Sequence, residues 1–396
     1  MSRIHLLGRV AAIAVIALYC AQMNAQSLHS SANLDWSQRV VDATMTRNPN
    51  PATFGPWGYQ RGFYLLGQWE VYQQTHDPRY LAHIQGWVDA HIDAKGRLDH
   101  KIDALDYIQA ANLAVILYQE THEERYRQAA DSFRSSFDDW PRTSDGGFWH
   151  AEVPSRHWQL WLDGTYMSLP FLLRYGQVFH DSHYADREAV WQLLIYYKHL
   201  KAARTGLLFH AYDESGKSAW VVPGTHHSCC FWGRSIGWYG MTLVDTLDVI
   251  PRNQPGRAKL IRILRRLVQS LAKYQDPKTG LWYQVVNQGD LASNWTETSA
   301  SSMFTYIIDV SVKRGYVSNK YHEVAEKGYQ GVLTRVSLNA NGLTEVKGIC
   351  VGTNVGNLQF YLNRPRKTND FHGLGAFLIM NEEWNTGMTP FHHSTH

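Results

Sequence analysis

The sequence predicts an all-α fold in which about six helix pairs close into a toroid. The main evidence is a repeat: "VYQQTHDPRYLAHI", "LYQETHEERYRQAA" and "RYGQVFHDSHYADR" place Tyr80, Tyr126 and Tyr184 at equivalent positions, and "SVKRGYVSNKYHEVAE" echoes them more faintly with Tyr321. Each segment reads as the end of one helix, a short polar turn and the start of the next. Such a repeat is typical of stacked helix pairs, because each pair buries the face that its neighbour offers.

The helices and turns between these repeats follow the same plan. Apolar residues in "AANLAVILYQ" and "RAKLIRILRRLVQSLAKY" recur at steps of three and four, as an amphipathic helix requires. The turn clusters "SDGGFW", "DESGKS", "DPKTG" and "NANG" separate the helical stretches, and long strand-like alternation is scarce. In a toroid the ends of the inner helices would surround a central cleft, where ligand sites tend to form.

Composition favours one enclosed sugar-binding domain. The chain has 396 residues, of which 18% are charged and 13% are aromatic, including 15 Trp and 22 Tyr. It can bury a large core and still present aromatic rings to a sugar. Two domains are the alternative at this length, but closed barrels of this size fold as one, so we predict a single domain over residues 26–396. The sequence lacks the concentrated basic surface that nucleic-acid binding needs.

Residues 1–25 are predicted to form a secretory signal. Arg3 and Arg9 precede the apolar run "VAAIAVIALYCA", and Ala25 is a small residue suited to cleavage. The run is too short to span a bilayer permanently, so no membrane association is expected. Tyr19 occupies the place where a lipoprotein cleavage box needs a small residue. We therefore expect export to a periplasmic or extracellular location.

Three cysteines remain if Cys20 leaves with the signal, namely Cys229, Cys230 and Cys350. Adjacent cysteines rarely bridge each other, so an exported protein could join Cys350 to one of the pair, but a chain of this size does not depend on a disulfide and the pairing stays open. The segment "HHSCC" contains two His and two Cys, but its spacing matches no zinc pattern. We predict no metal and no organic cofactor.

Asp163 lies in "WQLWLDGTYMSLPF", where a carboxylate is surrounded by apolar and aromatic residues. Carboxylates are rarely buried unless something satisfies them, so this one indicates either chemistry or a cap on a helix that begins at Gly164. The segments "RTSDGGFWH", "GLLFHAYDESG" and "FWGRSIGWYG" lie within one hundred residues of it and each mixes glycine, aromatic rings and an ionisable group.

These segments, with "LDYIQAANLAVILY" and "ETSASSMF", resemble the unsaturated rhamnogalacturonyl hydrolases of glycoside hydrolase family 105, which are related to the family 88 unsaturated glucuronyl hydrolases. The resemblance runs from about Trp36 to Glu383, and "PRTSDGGFWH" followed by "WLDGTYMSLPF" is its most specific part. It implies an (α/α)6 barrel, in agreement with the repeat.

The resemblance also implies roles for particular residues. Asp163 matches the catalytic acid and base, and Asp106 matches a second active-site carboxylate, with Asp103 one helical turn away as the alternative. His210 and Arg234 match residues that position substrate. Further candidates for the cleft lining, for which core packing is the alternative, are Trp232, Trp238, Trp161, Met167, Tyr59, Trp57 and His150. His372 of "NDFHG" is a weaker candidate.

The reaction implied by the resemblance is hydration of a double bond. The family's substrate carries a C4=C5 double bond on a terminal uronic acid, and Asp163 would protonate C4 and then take a proton from the water that adds at C5. Enclosure among Trp161, Tyr166 and other rings, together with the charge of Asp106, is expected to raise the pKa of Asp163 so that it holds this proton. Hydrolysis of Δ4,5-unsaturated galacturonyl-rhamnose by a monomer or weak homo-oligomer is expected. The alternatives are a glucuronyl substrate, a conventional inverting glycosidase and a noncatalytic sugar-binding protein.

Overall fold

The computed structural model describes residues 35–391, so the predicted signal lies outside the described residues. The helices, numbered in chain order, are α1 (Trp36–Arg47), α2 (Tyr59–Thr75), α3 (Pro78–Asp89), α4 (Leu105–Ile108), α5 (Asn112–Thr121), α6 (Glu124–Ser135), α7 (Asp163–Phe179), α8 (Ser182–Leu200), α9 (Gly233–Val249), α10 (Arg257–Tyr274), α11 (Thr298–Lys313), α12 (His322–Leu333), α13 (Leu358–Leu362) and α14 (Phe371–Thr386). A 3-10 turn, Gln109–Ala111, joins α4 to α5.

Two concentric rings of helices form the body of the protein. Six inner helices, α2, α5, α7, α9, α11 and α14, contact one another in that order, and α14 packs back on α2 to close the ring. Six outer helices, α1, α3, α6, α8, α10 and α12, alternate with them along the chain. The predicted all-α toroid is confirmed, and its architecture is an (α/α)6 barrel.

The two rings differ in which residues they bury. Inner helix α9 is buried almost throughout, from Gly233 to Leu247, because other helices surround it. Outer helix α10 buries Leu260, Leu264, Leu267 and Leu271 along one stripe and leaves the opposite face to solvent. The three-and-four spacing is seen in outer helix α10, whereas "AANLAVILYQ" forms inner helix α5, which is buried continuously from Asn112 to Leu117.

The repeat has a structural basis at the end of three inner helices. His76, His122 and His180 each follow the last residue of an inner helix in the left-handed conformation, with φ of 51°, 58° and 61°. In each case the His backbone N–H donates to the carbonyl four residues earlier, which ends the helix. The sequence pattern of helix end, polar turn and new helix is confirmed at these sites.

The repeated tyrosines join successive outer helices. The hydroxyl of Tyr80 donates to Asp42 of α1 at 3.0 Å, and the hydroxyl of Tyr126 donates to Asp89 of α3 at 2.7 Å. The ring of Tyr184 packs against the guanidinium of an arginine in α6. Each repeated tyrosine thus contacts the preceding outer helix.

Two glycines let α2 approach both of its neighbours in the inner ring. A Cβ atom on Gly62 would lie 2.5 Å from the side chain of Gln109, and one on Gly375 of α14 would lie 2.5 Å from the backbone of Phe63. Both contacts are too short for any larger residue. This close packing fixes the position of Tyr59 at the start of α2.

Within residues 35–391 the strands are short and form three antiparallel pairs. They are β1 (Gln159–Trp161) with β2 (Ala211–Asp213), β3 (Val336–Leu338) with β4 (Thr344–Val346), and β5 (Ile349–Cys350) with β6 (Arg366–Lys367). The first pair precedes inner helices α7 and α9, so it connects two predicted site segments.

The sequence left the pairing of the cysteines open. Cys229 and Cys230 form a disulfide with each other, and Cys350 is a buried free thiol. The Cys350 sulfur accepts a hydrogen bond from Gln284 Nε2 at 3.1 Å and is therefore engaged elsewhere. The backbone bends at Cys229, in the segment between β2 and α9, and the general rarity of bridges between adjacent cysteines did not anticipate this one.

Among residues 35–391, none of the helices combines the length and the apolar character that crossing a bilayer requires.

Candidate active site

The N-terminal ends of the inner helices meet at one end of the barrel. The charges of Asp106, Asp163 and Arg234, each at the start of a different helix, all act on the hydroxyl of Tyr59, the first residue of α2. Inner helices run in the same direction because an outer helix returns the chain between them. The positive ends of their dipoles therefore face this site, an arrangement that favours an anionic ligand.

Asp163 is the first residue of α7, and strand pairing brings it to His210. Trp161 of β1 is paired with Ala211 of β2, and the backbone N–H of Leu162 donates to the carbonyl of His210 at 2.9 Å. Asp163 Oδ2 then lies 3.1 Å from His210 Nε2. Among the described residues, the side chain of Asp163 contacts His210, and no side-chain hydrogen bond caps the start of α7. The alternative of a helix-capping Asp163 is not what the geometry gives.

His210 is fully buried and contacts partners at both ring nitrogens. Its Nδ1 lies 2.7 Å from the hydroxyl of Tyr361, opposite the contact with Asp163. Burial lowers the pKa of His210 most strongly; the charge of Asp163 opposes this, and His150 and Arg234 act in the same direction as burial. The net lowering of its pKa keeps His210 neutral near pH 7.

Asp106 lies in the short helix α4 and contacts two potential cations. Its Oδ1 is 3.5 Å from His150 Nε2, and its Oδ2 is 3.9 Å from Arg156 Nη1. Burial raises the pKa of Asp106, but His150, Arg156 and the more distant His372 together lower it below its ordinary value. Asp106 is therefore an ionised carboxylate.

Asp103, the alternative to Asp106, lines the same cleft. Its backbone carbonyl accepts a hydrogen bond from Glu152 N at 2.7 Å. Within the described part of the chain, ion pairs with His150 and Arg156 are recorded for Asp106 and not for Asp103. This difference favours Asp106 as the second carboxylate of the site.

His150 occupies the space between Asp106 and the start of α7. Its ring stacks on Trp161 at 4.5 Å with the planes 9° apart, and its Nδ1 lies 3.5 Å from where a Cβ on Gly164 would be. A side chain at Gly164 would also meet the hydroxyl of Tyr196 at 2.9 Å. The glycine in "WLDG" thus leaves room for the hydroxyl of Tyr196, whereas the imidazole of His150 lies at an ordinary contact distance.

Arg234 supplies a fixed positive charge beneath the site. Its guanidinium is buried, lies 4.7 Å from the ring of Trp232, and donates to the carbonyls of Cys350 and Val351 at 2.6 and 2.8 Å. Burial lowers its pKa, but Cys350, Glu297 and other neighbours raise it to a net value above the ordinary one. Arg234 remains protonated and acts on Asp163 through its charge.

The other predicted binding residues differ in exposure. Three are about 1% exposed and pack in the core in this structure: Trp232, Trp238 and Met167. Trp232 Nε1 donates to Gln284 and its ring lies 4.7 Å from His210, so it supports that imidazole. Trp161 is 6% exposed, and Tyr59 is half-buried and lines the cleft.

The cleft has a volume of about 590 Å³ and extends from Asp106 toward solvent. Its lining residues include Trp57, Tyr59, Gln60, His91, Asp99, His100, Asp103, Asp106, Tyr107 and Arg156. The lining combines acidic, basic and aromatic side chains, as in a site for polar sugars.

Sequence reasoning missed Arg156 and Tyr361 and gave His372 little weight. The guanidinium of Arg156 lies 4.4 Å from the ring of Trp161 and lines the cleft. His372 donates from Nδ1 to Asp370 at 2.5 Å and accepts at Nε2 from Gln60 at 2.9 Å. An arginine inside the aromatic segment "PSRHW" was a usable signal; Tyr361 in "NLQFYLN" offered none.

The segment "HHSCC" is accounted for by backbone contacts and the disulfide. His226 Nδ1 lies 2.9 Å from the carbonyl of Asp213, and His227 Nδ1 lies 3.0 Å from the carbonyl of Ser228. Over residues 35–391, no three His, Cys, Asp or Glu side chains are grouped as metal ligands would be.

The fold is a closed (α/α)6 barrel, and carboxylates lie at the starts of its helices beside a polar cleft. This combination is that of an (α/α)6-barrel glycoside hydrolase. The chain belongs to Glycosyl Hydrolase Family 88, whose family model matches residues 36–386. The resemblance recognised in the sequence is confirmed.

Individual relatives agree with this assignment. A solved structure of a glycoside hydrolase from family 105 of C. acetobutylicum ATCC 824 is 34% identical, covers 89% of this chain and all of that one, and has a TM-score of 0.85. Unsaturated rhamnogalacturonyl hydrolase YesR of Bacillus subtilis is 24% identical over 81% of this chain and 88% of its own. Protein Atu3128 of Agrobacterium fabrum is 31% identical over 54% of this chain and 96% of its own. The protein is thus a hydrolase of the type that removes unsaturated uronic acids.

Proposed function

We propose that this hydrolase removes a terminal Δ4,5-unsaturated galacturonic acid from rhamnose at the end of oligosaccharides produced by a lyase. The observation that carries the proposal is the pair Asp163 and His210, 3.1 Å apart, beside the ionised Asp106. The name of the relative YesR supports rhamnogalacturonan as the source of the substrate.

The first step is protonation of C4 by the carboxylic acid of Asp163. The electron pair of the C4=C5 bond takes the proton, and the ring oxygen stabilises the cation that forms at C5. Asp163 is then a carboxylate and accepts a proton from the water that adds at C5, so it is regenerated as the acid. The hemiketal produced opens to a C5 ketone, and the resulting C1 hemiacetal releases the next sugar.

The surrounding charges suit an anionic sugar. Arg234 and the positive ends of the inner helices offset the uronate charge. Asp106 and the half-buried Tyr59 would hold sugar hydroxyls at the inner end of the cleft, and Arg156 would contact the following sugar. All of these groups belong to the chain itself, and the steps written above require a proton and water alone.

A panel of disaccharides tests this proposal. Unsaturated galacturonyl-rhamnose should lose its near-ultraviolet absorbance as the double bond is hydrated, and unsaturated glucuronyl disaccharides should react more slowly. Saturated galacturonyl-rhamnose should not be cleaved, because it has no double bond to protonate. Cleavage of the saturated sugar would instead identify a conventional glycosidase. Binding of every sugar without turnover would identify a sugar-binding protein.

A further inference from the structure

Tyr361 in α13 extends the predicted catalytic pair by one residue. Its hydroxyl lies 2.7 Å from His210 Nδ1, while His210 Nε2 lies 3.1 Å from Asp163 Oδ2. Tyr361 and His210 are fully buried, and Asp163 keeps 14% of its side chain exposed. The three groups therefore form a chain that runs from the protein interior to the partly exposed carboxylate of Asp163.

The direction of these hydrogen bonds follows from the partners of Tyr361. Its oxygen accepts from the backbone N–H of Gly356 at 3.3 Å, and within residues 35–391 the acceptor recorded for its own proton is His210 Nδ1. Burial raises the pKa of Tyr361, so the phenol keeps its proton, and the lowered pKa of His210 leaves one proton on that ring. Since Nδ1 accepts, the ring proton is on Nε2 and is donated to Asp163.

We propose that Tyr361 is a positioning residue that fixes the Nε2–H tautomer of His210, so that Oδ2 of Asp163 is held as an acceptor and Oδ1 carries the catalytic proton. This inference rests on the proposed function for its consequence in turnover. The structure records no hydrogen bond to Oδ1 from the rest of residues 35–391. Oδ1 is therefore the oxygen that substrate reaches.

The other groups facing this chain come from several elements. The charges of His150 and Arg234 act on His210. The charge of Asp163 acts on the hydroxyls of Tyr59 and Tyr196. Arg234 and His150 both disfavour a second proton on His210, which reinforces its neutral state. The tyrosines are held neutral, because burial and Asp163 raise the pKa of both.

The ring of Tyr361 is held independently of its hydroxyl. It packs in a small cluster with Trp232, Cys230 and Leu362, next to the disulfide. The Cys230 carbonyl accepts the backbone N–H of His210 at 3.3 Å, so the backbone of His210 is also fixed. A phenylalanine at position 361 should keep this packing and remove the hydroxyl alone.

Tyr361→Phe is the decisive variant. Without the donor at Nδ1, the preference of the His210 ring for Nε2–H is weaker, and the ionised form of Asp163 has a less firmly fixed hydrogen bond. We expect kcat to fall about 10- to 100-fold, the size expected when a buried polar atom loses its partner, with KM nearly unchanged. The decline of activity at high pH should move to higher pH, because the protonated form of Asp163 is now relatively favoured.

Tyr329→Phe is the control. Tyr329 lies on outer helix α12, and its buried hydroxyl donates to Asn381 at 2.9 Å, so its loss should change neither kcat nor the pH profile.

A measurement on the resting protein separates this inference from the proposed function. Nitrogen NMR of histidine-labelled protein, assigned with His210→Gln, should show Nε2–H for His210 in the parent and a mixture of tautomers in Tyr361→Phe. A parent His210 protonated at Nδ1 would overturn the inference whatever the substrate is. So would a Tyr361→Phe enzyme whose kcat falls with an unchanged pH profile, since that is the result of simple structural damage. If the expected tautomer is found and no unsaturated sugar is turned over, the proposed function fails while the assigned tautomer stands.

Discussion

His150 Nε2 lies 3.5 Å from Asp106 Oδ1, and the same imidazole packs beside the start of the helix that carries Asp163. His150 therefore stands between the two carboxylates and helps to hold the pKa of Asp106 below its ordinary value. Asp106 remains ionised close to Asp163 while Asp163 contacts His210. The two acids have different partners, which is how one can serve as a fixed charge and the other as a proton carrier.

Asp163→Asn keeps the size of the side chain and removes its transferable proton. We expect turnover of the unsaturated disaccharide to fall ~10²- to 10⁴-fold, the range for loss of a general acid and base. Substrate binding, measured by calorimetry, should change little because the asparagine fills the same space. A variant with an unchanged melting temperature and near-parental turnover would remove Asp163 from the mechanism.

Asp106→Asn removes the neighbouring negative charge. We expect kcat to fall about 10- to 100-fold through lost contacts with sugar hydroxyls. Asp103→Asn is the matched control and should change kcat by less than about 3-fold. The reverse ranking of these two variants would make Asp103 the second carboxylate.

Arg156 lines the cleft and lies 3.9 Å from Asp106. It is partly exposed, so its charge is screened and its effect on binding should be modest. We expect Arg156→Ala to raise KM about 3- to 10-fold with kcat less affected, and Arg156→Lys to recover part of the loss. Steady-state kinetics on a disaccharide and a longer oligosaccharide would measure this. Arg127→Ala, an exposed arginine on α6, is the control, and an equal KM increase there would show a nonspecific effect of charge.

The fold followed from the sequence because its signals are local and repeated. The turns that begin at His76, His122 and His180 recur at steps of roughly fifty residues, and a repeated tyrosine follows each histidine four residues later. A stacked pair of helices is a near-neighbour arrangement, so a pattern within each unit specifies how the units pack.

The site was predictable only in part. Asp163 and His210 belong to motifs that can be read from the chain, and β1 and β2 bring them together. Tyr361 comes from a segment 151 residues away from His210, and its partner is set by the tertiary fold. The adjacent pair Cys229 and Cys230 was also misjudged, because a backbone bend in one loop decides whether such residues bridge.

The disulfide between Cys229 and Cys230 gives a direct chemical prediction. After denaturation without reductant, alkylation should modify Cys350 and leave the peptide containing the adjacent pair unmodified. Mass spectrometry before and after reduction would detect the two additional alkylated thiols. A bridged peptide joining Cys350 to either neighbour would show that the pairing described above is wrong.

Glu383 should make the stability of the barrel depend on pH. It lies in α14 and shares Lys313 with Asp309: Lys313 Nζ is 3.0 Å from Glu383 Oε1 and 2.7 Å from Asp309 Oδ2. Both carboxylates are almost completely buried. Burial raises the pKa of Glu383 well above its ordinary value, the charge of Asp309 adds to this, and Lys313 offsets part of it.

The pKa of Glu383 is higher in the folded than in the unfolded protein. Its contribution to the free energy of unfolding is therefore full below the unfolded pKa of about 4.3 and is lost as pH rises through the folded pKa. Glu383→Gln cannot ionise, so it should lose less stability with rising pH, with a relative gain of about 1 to 3 kcal/mol between pH 5 and pH 9. Denaturant unfolding at several pH values measures this, and Glu323→Gln, an exposed partner of Lys327, is the control. Parallel stability curves for parent and Glu383→Gln would mean that Glu383 is ionised throughout and that Lys313 balances both carboxylates.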